Sequence, residues 1–241
     1  MAGGRGTRLR PYTLVIPKPL MPVADMPILE VVLRQLKHYG FERVTITVGH
    51  LANLIVAFFG NGEKLGMQID YAVEDQPRGT IGPLAHIDGL DEPFLVMNGD
   101  LLTDLNFGAF AEHHRTADAA ISVATYVKRM PIDLGVVHID NGGRLCGFDE
   151  KPVIPFHVSM GIYALSPEAL QQVPHDQPFG FDDLMRAALH QQVPTNAYLF
   201  EGRWLDIGRK DDYQVAVETF ERDRHFFCPW EADNAERCSP A

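Results

Sequence analysis

The sequence predicts an α/β fold with a mainly parallel sheet and helices on both of its faces. Short β-prone runs at residues 44–48, 69–73 and 94–97 alternate with segments that have helical periodicity. These runs are almost wholly apolar, as is typical of strands that are buried on both faces. Strands that alternate with helices favour parallel pairing, because each helix carries the chain back to the start of the next strand. The two observations therefore indicate one fold class.

Helical segments in the first half of the chain, residues 1–115, support this prediction. The predicted helices are 27–39, 51–59 and 80–87. The first begins at Pro27, whose fixed φ suits a first helical turn, and ends just before Gly40, a residue typical of helix ends. Helices 51–59 and 80–87 each lie between two predicted strands, and helix 27–39 precedes the first of them, as suits the fold class.

The second half, residues 116–223, has the pattern of a more antiparallel unit. Its predicted strands are 119–125, 135–140, 145–148, 158–165 and 196–200, and its predicted helices are 167–172, 181–191 and 210–223. The turn Asn141-Gly142-Gly143 between two of these strands is a strong hairpin signal. From residue 225 onward the pattern fades, so that residues 224–241 are predicted to form a loosely ordered tail.

Composition and charge exclude several classes of function. The formal net charge of −11 argues against a nucleic-acid partner, because phosphate backbones require a basic surface. No apolar run is long enough for a transmembrane helix, and the first residues lack the apolar core of a signal peptide. The cysteines, Cys146, Cys228 and Cys238, lack the paired spacing of a zinc site or disulfide framework. We therefore expect a cytoplasmic protein without a membrane partner.

The most informative segment is the glycine- and arginine-rich loop at residues 2–11. Glycines let backbone amides approach an anion closely, and arginines provide charged forks that suit phosphate oxygens. The loop contains Gly3, Gly4, Arg5, Gly6, Arg8 and Arg10, and Lys18 follows it. A dinucleotide fingerprint would have a third glycine where Leu9 stands, and a P-loop would end in Gly-Lys-Ser or Gly-Lys-Thr. The loop is predicted to bind phosphate by another arrangement.

Several motifs continue this pattern in a fixed order along the chain. They are Gly3-Gly4-x-Gly6-Thr7-Arg8-Leu9-x-Pro11-x-Thr13, Pro17-Lys18-Pro19, Gly79-Thr80-Ile81-Gly82, Asn98-Gly99-Asp100, Gly135-Val136-Val137, Glu150-Lys151-Pro152, Gly161-Ile162-Tyr163 and Trp204-Leu205-Asp206-Ile207-Gly208. Over about residues 1–220 the chain resembles the sugar-phosphate nucleotidyltransferases, which include mannose-1-phosphate guanylyltransferases and glucose-1-phosphate thymidylyltransferases. The resemblance implies a Rossmann-like nucleotidyltransferase domain over residues 1–223, with a nucleotide-binding half at 1–115 and a sugar-phosphate-binding half at 116–223.

The resemblance also implies a reaction. A sugar 1-phosphate oxygen would attack the α-phosphorus of a nucleoside triphosphate in line, and pyrophosphate would leave. The enzyme would form no covalent bond, so that positioning and charge neutralisation carry catalysis. The implied catalytic residues are Arg8, Lys18 and Asp100. The implied nucleotide-binding residues are Gly3, Gly4, Gly6, Thr7, Arg8, Glu74, Gly79 and Thr80.

A magnesium site is the cofactor that the resemblance implies. Asp100 comes directly after the predicted strand 94–97, at the carboxyl end where ligands of open parallel sheets collect. The family uses this aspartate together with the one that corresponds to Asp206. Two carboxylates with substrate phosphates and water match the oxygen ligands that Mg²⁺ prefers.

The implied sugar-phosphate residues lie in the second half of the chain. Glu150 would accept hydrogen bonds from sugar hydroxyls, Lys151 would pair with the sugar phosphate, and Gly135 would let the backbone approach the sugar. The family often has Asn-Ala-Gly where this chain has Ser159-Met160-Gly161. Ser159 can still hydrogen-bond a hydroxyl, but the departure leaves the identity of the sugar open.

The choice of nucleotide is expected to depend on Glu74. A carboxylate only accepts hydrogen bonds, and guanine offers adjacent N–H donors where thymine offers one, so GTP is favoured. Alternatives are another triphosphate (dTTP, UTP or CTP), a non-sugar phosphate acceptor, or a catalytically silent homologue that senses nucleotide-sugars. Whether the chain forms a homo-oligomer is left open.

The start of the chain departs from the family pattern. Members normally begin with an apolar strand that leads directly into the Ala-Gly-Gly loop, whereas here Met1 stands where that strand would end. Loss of a central strand would leave two neighbouring strands with unpaired edges. We therefore expect the authentic polypeptide to start further upstream, or this chain to be truncated.

Overall fold

The computed structural model describes residues 1–232. The strands are β1 Pro22–Val23, β2 Met26–Pro27, β3 Arg43–Val48, β4 Gln68–Val73, β5 Phe94–Met97, β6 Leu101–Thr103, β7 Ile121–Pro131, β8 Val136–Ile139, β9 Leu145–Asp149, β10 Val153–Leu165, β11 Thr195–Phe200 and β12 Trp204–Asp206. The α-helices are α1 Ile28–His38, α2 Ala52–Phe59, α3 Phe107–Thr116, α4 Phe181–His190 and α5 Lys210–Phe227. Short 3-10 helices lie at Thr7–Leu9, Tyr12–Leu14, Lys18–Leu20, Glu63–Leu65, Gly82–His86 and Pro167–Gln172.

The central sheet is mixed, with most strands running in one direction. Four strands lie in the order β11-β7-β10-β5, and β10 is antiparallel to both of its neighbours whereas β11 is parallel to β7. Strands β3 and β4 form a separate parallel pair. Within these two groups only β10 opposes its neighbours, which confirms the predicted α/β class.

The first two residues join the two groups of strands. The Met1 amino group donates to the Met97 carbonyl at 2.7 Å, and the Gly99 amide donates to the Met1 carbonyl at 2.9 Å. This exchange is the hydrogen-bond pattern of a parallel pair between Met1 and Asn98. On the other side, the Ala2 amide donates to the Thr47 carbonyl at 2.9 Å.

Apolar side chains cover both faces of the sheet. Along β10, Ile162 and Ala164 are buried on the face covered by α1 and α3, while Tyr163 and Leu165 point to the other face. That second face is covered by α4 and the two 3-10 helices Gly82–His86 and Pro167–Gln172. The alternation follows the two-residue period of a strand and confirms the predicted helical cover on both faces.

Two predicted helices have a different geometry from the one expected. Segments 80–87 and 167–172 contain 3-10 helices, of which the first is shorter than predicted. Each of these helices has a proline in its first turn and contributes only a few buried residues, which suits a short connector. Strands β7 and β10 are longer than predicted, because both extend beyond the core into an exposed arm that carries the β8–β9 hairpin.

The end of the described chain packs onto the core. Helix α5 continues past a kink at Asp223 to Phe227, and Phe227 and Cys228 are buried against Leu9 and Met21. The expectation that order fades from residue 225 is therefore wrong for this stretch, because its aromatic side chain is buried by residues from the other end of the chain. Residues 233–241, which include Cys238, lie outside the described residues. Within residues 1–232, no helix combines the length and apolar character needed to span a bilayer.

Candidate active site

The glycine-rich loop is held in a defined conformation by contacts within the first twenty residues. Gly6 has a φ of 57°, in the left-handed region, and precedes the 3-10 turn Thr7–Leu9. The Thr13 hydroxyl donates to the Gly6 carbonyl at 2.7 Å, and a Cβ added at Gly6 would lie 2.8 Å from Thr13 Cγ2. Leu9 is fully buried and anchors the turn to the core. Only glycine fits at position 6 without strain.

A cleft of about 230 Å³ opens beside this loop. Its lining residues are Met1, Ala2, Gly4, Gly6, Thr7, Arg8, Leu9, Lys18, Pro19, Asp100 and Gly208. Three segments that are distant in sequence therefore meet at one cleft: the start of the chain, the turn after β5, and the turn after β12. The structure brings together most of the predicted phosphate-binding residues.

Asp100 and Lys18 form an ion pair at the floor of the cleft. Asp100 Oδ2 contacts Lys18 Nζ, and the two side chains are only 23% and 12% exposed. The other carboxylate oxygen, Asp100 Oδ1, is buried and has no hydrogen-bond partner among residues 1–232. A buried anionic oxygen without a partner is costly, which makes it a candidate ligand for a cation.

Strand pairing places Asp206 close to Asp100. The antiparallel pair β6–β12 sets Asp206 opposite Leu101, directly after Asp100 in the chain. Loss of hydration among the surrounding protein atoms raises the pKa of the Asp206 carboxyl, and the neighbouring Asp100 charge raises that pKa further. The positive charges of Lys18 and Arg8 act in the opposite direction.

These two carboxylates fit a hard divalent cation. The arrangement offers one unpartnered carboxylate oxygen and a second carboxylate whose pKa is raised by loss of hydration and, to a smaller extent, by the neighbouring Asp100 charge. In the part of the chain that the structure describes, no group of three or more His, Cys, Asp or Glu residues could hold a metal by itself. Further ligands would have to come from substrate phosphates and water, which is the usual situation for Mg²⁺.

Arg8 lines the cleft, whereas Glu74 lies outside its lining, beside Gly3. The position that a Cβ would take at Gly208 lies 3.7 Å from Arg8 Nη1 and 3.8 Å from Asp206 Oδ2, so the guanidinium lies near the acidic pair. The corresponding position at Gly3 lies 3.4 Å from Glu74 Oε1. Burial raises the pKa of the Glu74 carboxyl, which shows that it is partly withdrawn from water.

Gly79 and Thr80 have observed contacts with the segment before α4. A Cβ added at Gly79, whose φ is 80°, would lie 2.5 Å from the Phe179 carbonyl oxygen. The Thr80 hydroxyl oxygen accepts a hydrogen bond of 2.9 Å from the Phe181 amide. Both residues therefore hold the loop at 79–80 against the segment at 179–181. Their predicted contact with the nucleotide stays a prediction.

Ser159 lies at a bulge in β10, close to the turn that carries Asp100. Its hydroxyl donates to the Tyr163 hydroxyl at 3.1 Å and accepts from the Gly161 amide at 3.2 Å. Gly161 has a φ of 73°, and a Cβ there would lie 2.6 Å from Asn98 Nδ2. The bulge therefore lets β10 approach the Asn98–Asp100 turn at Gly161.

Gly135, Glu150 and Lys151 lie on the exposed arm. A Cβ at Gly135 would lie 2.6 Å from the Phe148 ring and 3.4 Å from Glu150 Oε2. Lys151 has a φ of 45°, an uncommon backbone conformation for a residue with a side chain. Gly135 and Glu150 therefore lie side by side on the arm, and the contact of all three residues with a sugar phosphate stays a prediction.

Sequence reasoning gave no role to three residues that shape this site. Thr13 belongs to the loop motif and could have been found there, because a polar residue two positions after a proline suits a turn that closes on the loop. Asn98 and Phe148 act through contacts with Gly161 and Gly135, respectively, which are distant in sequence. No sequence pattern predicts either contact.

A comparison with known protein families shows to which family the chain belongs. The profile of the nucleotidyl transferase family matches residues 1–223. The chain belongs to this family. Its loop, acidic pair and β10 bulge are therefore features of a nucleotidyl transferase.

Curated relatives of this nucleotidyl transferase act on different nucleotides. A UTP–glucose-1-phosphate uridylyltransferase from Synechocystis sp. is 32% identical over 239 residues, covering 90% of this chain and 61% of the relative. A mannose-1-phosphate guanylyltransferase catalytic subunit beta from Drosophila pseudoobscura pseudoobscura is 32% identical over 224 residues, covering 90% of this chain and 60% of the relative. The chain thus spans less than two thirds of the length of these proteins.

Solved structures have the same fold. HddC from Yersinia pseudotuberculosis superposes with a TM-score of 0.70 and 24% sequence identity, covering 91% of this chain and 96% of HddC. A second HddC structure, in complex with GMP-PN, gives a TM-score of 0.67. The similarity confirms a mixed α/β nucleotidyl transferase fold with a mainly parallel sheet.

Proposed function

We propose that this nucleotidyl transferase joins a sugar 1-phosphate to a nucleoside triphosphate, giving a nucleotide-sugar and pyrophosphate. The observation that carries the proposal is the convergence of the Gly4–Arg8 loop, the Lys18–Asp100 pair and Asp206 at one cleft. A sugar-phosphate oxygen forms a bond to the α-phosphorus while the bond to the pyrophosphate oxygen breaks. The chain provides no nucleophile, so its contribution is positioning and neutralisation of charge.

The glycine loop binds the triphosphate in this proposal. Gly4 and Gly6 line the cleft, and backbone amides of a glycine-rich turn can approach an anion closely in such a concavity. Arg8 neutralises charge that builds on the leaving pyrophosphate. Lys18, which the ion pair with Asp100 fixes in place, contacts the reacting phosphates.

Asp100 and Asp206 hold Mg²⁺ in this proposal. The unpartnered Asp100 Oδ1 and the adjacent Asp206 carboxylate support the assignment, because both need positive charge nearby. A bound magnesium ion supplies that charge beside the reacting phosphates.

GTP is the triphosphate that we favour. Glu74 lies beside Gly3 of the glycine-rich loop, and its carboxylate can accept from the two adjacent N–H donors of guanine. The structural neighbour HddC, which is similar in fold, has been seen with GMP-PN. Glu150, Lys151, Gly135 and Ser159 bind the sugar phosphate from the arm and the β10 bulge.

A matrix of triphosphates against acceptors tests the reaction. GTP, UTP, dTTP and CTP are each combined with mannose, glucose, glucosamine and heptose 1-phosphates, with and without magnesium, and pyrophosphate is measured. We expect magnesium-dependent release that requires both substrates and is fastest with GTP. A non-sugar phosphate is included as a further acceptor, and release with that compound only would replace the sugar 1-phosphate as the proposed acceptor. Nucleotide-sugar binding without release in any combination would show a silent homologue and overturn the proposal.

The Glu74→Gln variant tests the preference for GTP in the same matrix. Loss of a charged acceptor facing guanine should raise the KM for GTP about tenfold relative to that for dTTP, since one charge-assisted hydrogen bond contributes about that much. Glu63→Gln, on an exposed 3-10 helix away from the cleft, serves as the matched control. An unchanged ratio of the two KM values would remove Glu74 from base selection.

A further inference from the structure

The two proposed metal carboxylates are joined by a short β-ladder. Strands β6 and β12 are antiparallel, with Asp206 opposite Leu101 and Trp204 opposite Thr103. Among residues 1–232, these two strands pair with no other strand. A two-stranded ladder is marginally stable by itself, so other contacts have to keep its strands in register. Asp100 directly precedes the ladder, and its spacing from Asp206 therefore depends on that register.

A charged pair closes the end of the ladder that lies away from the acidic residues. Asp104 follows β6 and Arg203 precedes β12, so these two residues form the next pair of the same register. The Asp104 amide donates to the Arg203 carbonyl at 3.2 Å. In return, Asp104 Oδ1 accepts from the Arg203 amide at 2.6 Å, and Asp104 Oδ2 accepts from Arg203 Nη1 at 3.1 Å. One carboxylate therefore binds both the backbone and the guanidinium of the opposite residue.

The surroundings of this pair favour a strong interaction. The side chains of Asp104 and Arg203 are only 14% and 35% exposed. Hydrogen bonds between charged groups are strong, and salt screens them less when they are partly buried. The Asp104 carboxylate lies against Gly202, where an added Cβ would collide with Oδ1. A residue without a side chain at position 202 therefore lets the chain bring Arg203 onto Asp104.

Helix α5 holds the same guanidinium from its other side. Arg203 Nε donates to Asp223 Oδ2 at 3.3 Å, and Arg203 Cζ lies 3.5 Å from the centroid of the Phe226 ring. Asp223 is the residue at which α5 is kinked. A planar guanidinium can bridge two carboxylates and stack on a ring at the same time, which an ammonium group cannot do. Arg203 thus has one fixed position between the ladder and the helix.

A buried glutamine links the same end of β6 to α1 and α5. Gln35 of α1 is 1% exposed. Its Nε2 donates to the Thr103 carbonyl at 2.7 Å and to the Phe227 carbonyl at 2.9 Å. Breaking either bond would leave a buried polar group without a partner, which is unfavourable. The end of the ladder at residues 103–104 is therefore its anchored end, and the acidic residues lie at the opposite one.

We propose that Asp104 and Arg203 are positioning residues, which set the register of β6 against β12 and so hold Asp100 and Asp206 where both can contact one divalent cation. The inference rests on the proposed function, because it assigns the pair to the proposed metal site. Asp104 lies about 13 Å from Asp100 along an extended strand, so its effect passes through the strands and not through contact with the metal. Because side chains alternate along a strand, a slip of one residue would turn Asp206 to the other face of the ladder.

Binding of Mn²⁺ alone tests the inference without reference to catalysis. Mn²⁺ binds to the same oxygen ligands as Mg²⁺ and can be titrated by electron paramagnetic resonance. Arg203→Met should weaken the binding of Mn²⁺ about tenfold or more, since loss of a residue that orients a metal ligand commonly has an effect of that size. Asp100→Asn should abolish the binding, which locates the ion at the acidic residues. Arg222→Met is the matched control, because it removes another ion pair of Asp223 and leaves the Asp104–Arg203 pair in place.

Further variants separate a loss of position from a loss of stability. Arg224→Met removes the ion pairs of α5 with Asp25 and Glu231, so it should lower the Tm without weakening the binding of Mn²⁺. Arg203→Lys keeps a positive charge beside Asp104 and should bind Mn²⁺ with intermediate affinity, also if Arg203→Met does not fold. The double variant Asp104→Asn/Arg203→Met should lose no more affinity than either single variant, because the two residues act as one unit.

Several results would overturn the inference. They are parental Mn²⁺ affinity in folded Arg203→Met or Arg203→Lys, an equal loss in Arg222→Met or Arg224→Met, independent losses that multiply in the double variant, and Mn²⁺ binding that is absent from the parent chain or survives Asp100→Asn. Failure of the proposed function is a different observation, because the parent chain would then release no pyrophosphate in any substrate combination, whatever its affinity for Mn²⁺. In the active enzyme, Arg203→Met should raise the Mg²⁺ concentration for half-maximal rate about tenfold and leave the KM for the sugar 1-phosphate unchanged.

Discussion

The loop at residues 3–18 and the β8–β9 hairpin carry the two halves of the proposed site, and they differ in how firmly they are held. The loop is fixed by the Thr13–Gly6 hydrogen bond, the buried Leu9 and the Lys18–Asp100 pair. On the hairpin, Val137 and Phe148 are 47% and 63% exposed, although they face each other across the strands. The proposed phosphate-binding part is therefore preorganised, whereas the proposed sugar-binding part has room to adapt. Changes in the loop should reduce turnover or stability, and changes in the hairpin should reduce affinity.

The largest effect is expected at Asp100. Asp100→Asn removes the partner of Lys18 and one of the two proposed metal ligands, so turnover should fall about a hundredfold or more. Pyrophosphate release measures the loss, and circular dichroism checks that the fold is kept. Asp118→Asn, at an exposed turn before β7, is the matched control. Full turnover in the Asp100 variant would show that the loop region is not the reacting centre.

A smaller effect, on affinity alone, is expected on the hairpin side. Glu150→Gln should raise the KM for the sugar 1-phosphate about tenfold and leave the KM for the triphosphate and kcat nearly unchanged, because one charged hydrogen-bond acceptor is lost. Steady-state kinetics with each substrate varied separately distinguish the two constants. Asp149→Asn, which loses only the exposed contact with His138, is the control. A fall in kcat without a change in KM would show that the hairpin side affects turnover as the loop does, which contradicts the proposed difference between the two regions.

The rigidity of the loop can be measured through Gly6. Gly6→Ala places a Cβ 2.8 Å from Thr13 at a φ of 57°. The left-handed conformation alone costs about 1–2 kcal/mol, so that the Tm should fall by about 2–8 °C. Gly4→Ala is the control, because a Cβ there meets no atom of the described residues within 4 Å. If both variants melted alike, the loop would be more flexible than the Thr13–Gly6 contact indicates.

The smallest effect is expected on thermal stability, because Asp206 lies close to the negative charge of Asp100. Because the pKa of Asp206 is raised in the folded protein, the ionised carboxylate destabilises the fold at pH values above that pKa. Asp206→Asn should therefore melt slightly above the parent chain at pH 7 in the absence of divalent cations. The difference should shrink as the pH falls toward the ordinary aspartate range, where both states become protonated. Thermal melts between pH 4 and 8 check this, and a lower Tm of the variant at pH 7 would contradict it.

Prediction from the sequence succeeded where the signal was local. Runs of apolar residues located β3, β4 and β5, and the Asn141-Gly142-Gly143 turn located the hairpin, where Asp140 Oδ1 accepts from the Gly142 amide at 2.8 Å. It was wrong about the order of residues 225–228, because Phe227 is buried by residues near the start of the chain. Periodicity describes neighbours along the chain and contains no information about such a contact.

The sequence by itself determined the α/β class, the glycine-rich loop and the order of motifs along the chain. Those features depend on backbone preferences and on hydrophobic periods of a few residues. Only the tertiary structure decided that Asp206 lies beside Asp100, through the pairing of β6 with β12, and that Lys18 closes on the same carboxylate. It also decided that β3 and β5 border a cavity of about 620 Å³. The reason is that strand pairing and packing join residues that are distant in the chain, and no local pattern determines which of them will meet.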